Sequence, residues 1–171
     1  PEQLIASLAA QSLASSIEIV LACGEDGGAA ARLGDPGASP FAGPLRHSVS
    51  HGATRAARLN HAAAQARGQY LLFLDPDVLL IDPRTVATLL TVAEQPGTGS
   101  AACAIVTETE GAEASVHSGG YFPTRTGLYA DPVFEVSQFD VARIFPAATY
   151  PVVANQLKCC IVPVDVWTAM D

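Results

Sequence analysis

Residues 70–77, Tyr-Leu-Leu-Phe-Leu-Asp-Pro-Asp, constrain this chain more than any other stretch. An unbroken apolar run that stops at Asp75 is far too short to cross a membrane. It also shows no polar alternation, so it predicts a strand buried on both faces. Such a strand needs helices above and below it, and the flanking residues supply them. Ala53 to Arg67 consists mainly of the helix formers Ala, Arg, Leu and Gln, and Gly68 stands where a C-terminal glycine cap belongs. On the other side, Asp82-Pro83 offers an N-cap and a first-turn proline for a helix running to about Glu94.

The same alternation extends in both directions. Leu4, Ile5, Leu8, Ala9 and Leu13 recur at helical spacing, and Ser15-Ser16 closes that helix. Strands are predicted over Ile17–Cys23, Leu45–Val49 and Ala101–Thr107. Helix and strand in turn imply an α/β domain built on a parallel sheet. Gly24 to Gly43 has no sustained period and is long enough to point to function. Beyond Thr109 the pattern changes, with Gly and Pro punctuating short extended pieces. Val152–Pro163 is expected to return to the sheet as a strand, and Val164–Asp171 to begin a helix capped by Asp165.

Composition removes several classes. A chain of 171 residues suits one domain, and 49% apolar content supplies a core. Seventeen acidic residues against nine basic ones leave a net charge of -8, which excludes a general nucleic-acid binder. No stretch approaches the roughly 18 apolar residues of a membrane helix. No basic-then-apolar leader is visible, and the expectation is a cytoplasmic protein. Cys23, Cys103, Cys159 and Cys160 lack paired CxxC spacing, so a zinc site is not expected. All four are read as reduced, mostly buried thiols, with neighbours Cys159 and Cys160 on opposite faces of a strand.

Asp75 and Asp77 carry the chemistry. In open parallel sheets, ligands bind at the carboxyl ends of the strands, and these two carboxylates stand at such an end. Hard oxygen ligands suit Mg²⁺ or Mn²⁺ bridged to a diphosphate. The competing reading is a plain turn, since Asp and Pro both favour turns. Other candidates weigh less. His47 and His51 have i, i+4 spacing, but Val49 and Gly52 break a helix there. His117 reads as a hydrogen-bonding loop residue, and Tyr121 and Trp167 as core or rim aromatics. Gly24–Gly28 lacks the Lys and Ser/Thr of a phosphate loop. The serines lack a nucleophile-elbow pattern.

Arg55-Ala56-Ala57-Arg58-Leu59-Asn60, followed by Ala66-Arg67-Gly68 and the strand ending Asp75-Pro76-Asp77, resembles the family 2 glycosyltransferases of the GT-A fold. Val116-His117-Ser118-Gly119-Gly120-Tyr121-Phe122 is similar to a hairpin found after the metal motif in some members. Cys159 to Trp167 is similar to the strand and helix start on the acceptor side. The resemblance implies a Rossmann-like, mostly parallel sheet flanked by helices. Residues 1–108 would form the nucleotide-sugar half and 109–171 the start of the acceptor half. It implies transfer of a sugar from a nucleoside-diphosphate donor to the hydroxyl of a glycan or other acceptor, with inversion and with Mn²⁺ or Mg²⁺ as cofactor. Asp77, the second Asp of the Asp-x-Asp motif, would ligate the metal. Asp75 would lie near the ribose or reach the metal through water. Arg55 and Cys23 would lie near the donor, and Asn60 would orient a loop.

The chain also departs from the family pattern. The family opens with a strand before the first helix, so by resemblance this chain is truncated at both ends. Cys23 and Gly24 stand where a base-reading Asp is usual, with Glu25 and Asp26 just beyond. The family's acidic catalytic base has no counterpart, Asp171 preceding its place. Two other classes stay open. One is a non-catalytic GT-A-like module that binds a nucleotide or a protein. The other is a nucleotidyltransferase-like enzyme, which the acidic loop at Gly24–Gly28 disfavours.

Overall fold

The computed structural model describes residues 2–24, 41–49, 54–107, 114–126, 128–137 and 155–170, with residues 140, 143, 149, 151 and 152. Glu25, Asp26, His51 and Asp171 lie outside them, as do most of the Gly24–Gly43 loop and the Ala53 end of the second predicted helix.

Helix α1 (Glu2–Ala9) buries Ile5 and Leu8. It ends sooner than its apolar spacing predicts, and a single 3-10 turn follows at Ala14–Ser16. The cause is a competing partner. The Ser12 N–H donates to the Pro83 carbonyl at 2.7 Å. Gln11, itself buried, donates to the Asp82 carbonyl and accepts from the Val86 N–H. Tertiary bonds therefore take the place of the next helical turn.

Strand β1 (Ile19–Cys23) runs parallel to β2 (Leu45–Val49), with Leu21 opposite His47. Helix α2 (Arg55–Ala63) begins at Thr54, whose hydroxyl accepts from the Ala57 N–H at 3.3 Å. Strand β3 (Tyr70–Leu74) falls where the apolar run predicts it. Helix α3 (Thr85–Ala93) starts slightly late, because the Asp82 carboxylate and carbonyl accept from Arg84 and Thr85 in a separate turn first. The predicted Ala101–Thr107 strand is two pieces, β4 (Ala101–Ala102) and β5 (Ile105–Thr107). They pair with different partners. β5 joins β6 (Ser115–Ser118), with an irregular register at Ile105/Val106. A small hairpin pairs β7 (Phe122–Pro123) with β8 (Tyr129–Ala130). Strand β9 (Cys159–Pro163) leads into helix α4 (Val164–Thr168). Asp165 does not cap that helix; Pro163 holds the N-cap position, and the Asp165 carboxylate accepts from the Val166 N–H.

The α/β class holds, and β9 runs against the parallel direction that the sequence predicts for it. Among the described residues only β1 and β2 pair in parallel. β9 lies antiparallel between β3 and β4, in the order β3-β9-β4. The physical reason is the connection. Parallel neighbours need a crossover, usually helical. The helix–strand alternation stops near Thr107, so nothing obliges β9 to run parallel to β3.

Two apolar layers cover this sheet. Leu72, Leu74, Cys159 and Ile161 face α1 and α3, among Ile5, Leu8, Val86 and Leu89. Leu71, Phe73, Cys160 and Val162 face α2 and α4, among Leu59, Ala63 and Trp167. The strand is thus apolar on both faces because both faces are covered. Cys159 and Cys160 do point to opposite sides.

Glu18 ties the strand starts together. Its carboxylate accepts from the Arg46 guanidinium at the start of β2 and from the Arg67 N–H just before β3. β1, β2 and β3 therefore begin at one edge of the domain and end at the other. Between β1 and β3 lies a cavity of about 1380 Å³, lined by every residue of both strands. Among the described residues β1 pairs only with β2 and β3 only with β9, so each keeps one free edge along it.

Candidate functional site

The carboxyl ends of β1 and β3 meet at one end of that cavity. Cys23, Gly24, Arg55, Asp75, Pro76 and Asp77 all line it. Asp75 is fixed on three sides. Its N–H donates to the Lys158 carbonyl at 2.9 Å, which ties the end of β3 to the approach of β9. Its carbonyl accepts from the Val78 N–H at 3.1 Å, closing a turn around Pro76 and Asp77. Its carboxylate pairs with the Arg55 guanidinium from the first turn of α2. The turn reading and the ligand reading of Asp75-Pro76-Asp77 are therefore compatible: a turn is what presents the second carboxylate.

Asp77 is exposed. Among the described residues no side chain bonds it. Asp75 is half-covered and Arg55 is half-exposed, so their ion pair is open to water and worth little to stability. It does hold the carboxylate and the guanidinium side by side. A cation and a diphosphate want that arrangement: anionic oxygen for the metal, a fixed positive fork for phosphate.

Cys23 reaches the same end and lines the cavity there. It is buried, and its S–H donates to the Leu21 carbonyl at 3.3 Å on its own strand. Arg55, Asp75 and Asp77 thus come together with open polar atoms, beside the buried Cys23. Asn60 is exposed on α2. His47 lies on β2, so no helix brings it near residue 51.

No group of three or more His, Cys, Asp and Glu able to hold a metal occurs among the described residues. The donor set still suits a hard cation. Mg²⁺ commonly takes only one or two carboxylates and completes its shell with water and substrate phosphate. One oxygen of Asp75 is taken by Arg55, and Asp77 is open.

The sequence reading missed two carboxylates that build the frame. Burial pushes Glu18 up, but the Arg67 and Gly68 backbone N–H groups and the Arg46 guanidinium outweigh it, so its carboxyl sits below the ordinary value. Asp131 accepts from the Ser118 hydroxyl, the Gly119 N–H and the Val133 N–H, which sets the turn after β6. The only sequence signal for Glu18 was an acidic residue directly ahead of a β-branched run. Asp131, before a proline, carried no more than a turn signal. His117 sits edge-on to Phe134, with ring centroids 5.9 Å apart. Trp167 packs on Phe73 at 4.7 Å, a core role. The Tyr121 hydroxyl accepts from Gln156 at 2.7 Å.

The family model described as Glycosyl transferase family 2 matches residues 43–141, more than half of the chain. That span contains Arg55, Asp75 and Asp77. No curated protein and no solved structure matches the chain.

Proposed function

The chain belongs to glycosyl transferase family 2, and from that membership and the Arg55–Asp75–Asp77 cluster we propose that it moves a sugar from a nucleoside-diphosphate donor to an acceptor hydroxyl. The observation that carries the reading is the placement of Asp75 and Asp77 on a tied turn at the carboxyl end of β3, beside Arg55. Asp77 and the free oxygen of Asp75 would hold Mn²⁺ or Mg²⁺. Such a cation neutralises charge that builds on the departing diphosphate. Arg55 would bind phosphate oxygens directly, its fork already oriented by Asp75. The tie to Lys158 keeps the turn in place at no reorganisation cost when charge develops. Transfer in a single displacement, with inversion, is the stereochemistry we assign.

We further propose that the described residues form part of one GT-A domain. The slot between β1 and β3 is apolar on both faces and open along two strand edges. One more strand, ahead of α1, would pair with both. The Leu80 N–H meets the Ser7 hydroxyl, and Asp82 and Pro83 meet Gln11 and Ser12. The segment leaving Asp75 therefore runs alongside α1 toward its end, and the start of α1 lies on the Asp75 side. A strand parallel to β1 and β3 would finish beside it.

The test is calorimetric titration with UDP, GDP and dTDP, with and without Mn²⁺, on the wild type and on Asp77→Ala. Mn²⁺-dependent binding of one nucleotide, lost in Asp77→Ala, supports the reading. Binding indifferent to Mn²⁺ in both proteins overturns the metal assignment. Absence of binding to all three in a chain that carries the additional strand overturns the donor site.

A further inference from the structure

A pair of sulfurs in the sheet has no part in the donor site. Ala101 and Ala102 lie opposite Ile161 and Cys160 on antiparallel β9. The Cys103 N–H then donates to the Cys159 carbonyl at 3.3 Å, which carries the ladder one residue further. Cys103 therefore stands opposite Cys159. Cα atoms of such a hydrogen-bonded antiparallel pair are about 5.5 Å apart, within the range that a disulfide spans without backbone movement. Both side chains join the cluster under α1 and α3, whereas Cys160 joins the opposite one. The two thiols lie close enough to shift each other's ionisation. All four cysteines are free, with Cys159 buried and Cys103 partly exposed.

We propose that Cys103 and Cys159 form a modification site: a dithiol that a hydroperoxide oxidises to a cross-strand disulfide. The Cys103 thiolate attacks the peroxide oxygen and the O–O bond breaks. The alcohol or water leaves with a proton, and Cys103 becomes a sulfenic acid. Cys159 then gives up its proton, its sulfur displaces the hydroxyl, and water leaves. Two thiols are oxidised, and one peroxide is reduced.

The order of events follows from the environment. Cys103 is the less buried member, and the neighbouring Cys159 thiol outweighs burial and holds it below the ordinary value. Cys159 is pushed up by the neighbouring Cys103 thiol and by burial, so it waits as the resolving thiol. Cys160 is pushed up to about 11, mainly by burial, and stays inert on the other face. Cys23 is buried and bonded within β1.

The site also has a mechanical position. Cys159 pairs with Leu74, and its neighbour Lys158 accepts from Asp75. A bond between Cys103 and Cys159 would pin the end of β9 that holds the Asp75 turn.

The experiment treats the full chain with hydrogen peroxide, alkylates the remaining thiols, and maps linked peptides by mass. The expected result is loss of two of the four free thiols, one Cys103–Cys159 linked peptide, and full reversal by dithiothreitol. Cys103→Ser should give no linked peptide and leave Cys159 reduced. Because the decisive map is made on the wild type, it stands whether or not that variant folds. Linkage through Cys23 or Cys160, dimers joined by disulfide, or Cys103 over-oxidised with Cys159 still free would each overturn the proposal.

Discussion

Glu18 is the side chain whose removal says most about how this domain is held together. Its carboxylate accepts from the Arg46 guanidinium and from the Arg67 N–H. Both bonds involve its charge, and hydrogen bonds to charged groups contribute about 1.5–3 kcal/mol each. The pair is only partly exposed, 19% for the Glu18 side chain and 30% for Arg46, so solvent screens it in part. Glu18→Gln keeps one acceptor for Arg67 but sets an amide N–H₂ against the guanidinium. We expect it to cost about 1–2 kcal/mol. Glu18→Ala also orphans the Arg67 N–H, and about 2–4 kcal/mol is expected. The carboxyl is held below its ordinary value of 4.5. Its stabilisation is therefore fully present above that value and is lost as pH falls through the lower folded value. Urea unfolding of wild type and Glu18→Gln across pH 3–7, read by Trp167 fluorescence, measures this directly. The difference between the two proteins should be constant near neutrality and shrink toward the acid end. A difference that stays constant down to the lowest pH, or grows there, would refute the assignment of charge-assisted bonds.

The other expectations are simpler. Ile5→Ala empties a site that is 2% exposed and should cost about 2–5 kcal/mol by urea unfolding, whereas Ile81→Ala, 86% exposed, should change stability by less than about 0.5 kcal/mol. Gly120 has φ +106° and would place a Cβ 2.7 Å from Val152 Cγ1; Gly120→Ala should cost about 1–3 kcal/mol, of which Val152→Ala relieves only the contacts with the two Val152 methyl groups. Arg55→Ala should weaken Mn²⁺-dependent nucleotide binding in calorimetry while moving the melting temperature little, because its ion pair is open to solvent. In a chain carrying one more strand ahead of α1, hydrogen exchange at the slot-facing amides of β1 and β3 should slow relative to the present chain.

Legibility followed locality. β3, its two covered faces and the turn at Asp75-Pro76-Asp77 were readable because a short apolar run, a proline and two aspartates act within a few residues. The second helix was readable from composition as Ala53–Arg67, but it ends at Ala63 with Ala64 and not Gly68 as its cap, and its start is set by a threonine hydroxyl. What stayed hidden depends on partners distant in sequence. The early end of α1 is set by Gln11 and Ser12 bonding to residues 82–86. The break in Ala101–Thr107 is set by two different pairing partners, β9 and β6. Nothing in either segment's own pattern records those partners. The direction of β9 was obscured for the same reason: strand periodicity is identical for parallel and antiparallel neighbours. At the candidate site, Asp75 and Asp77 were proposed from pattern and Arg55 from resemblance, whereas the Lys158 carbonyl that anchors Asp75 has no side-chain signature at all.

The position of β9 has a consequence for how the domain is made. β3 and β4 do not pair with each other; each is joined to β9, which follows both in sequence. During synthesis, residues 70–74 emerge long before residues 159–163 can pair with them. β3 and β9 must be brought together across a long stretch of intervening sequence, and such non-local pairing slows folding. Until β9 arrives, β3 carries two unpaired edges and a fully apolar surface, the combination most prone to wrong association. The nascent chain is most vulnerable in that interval.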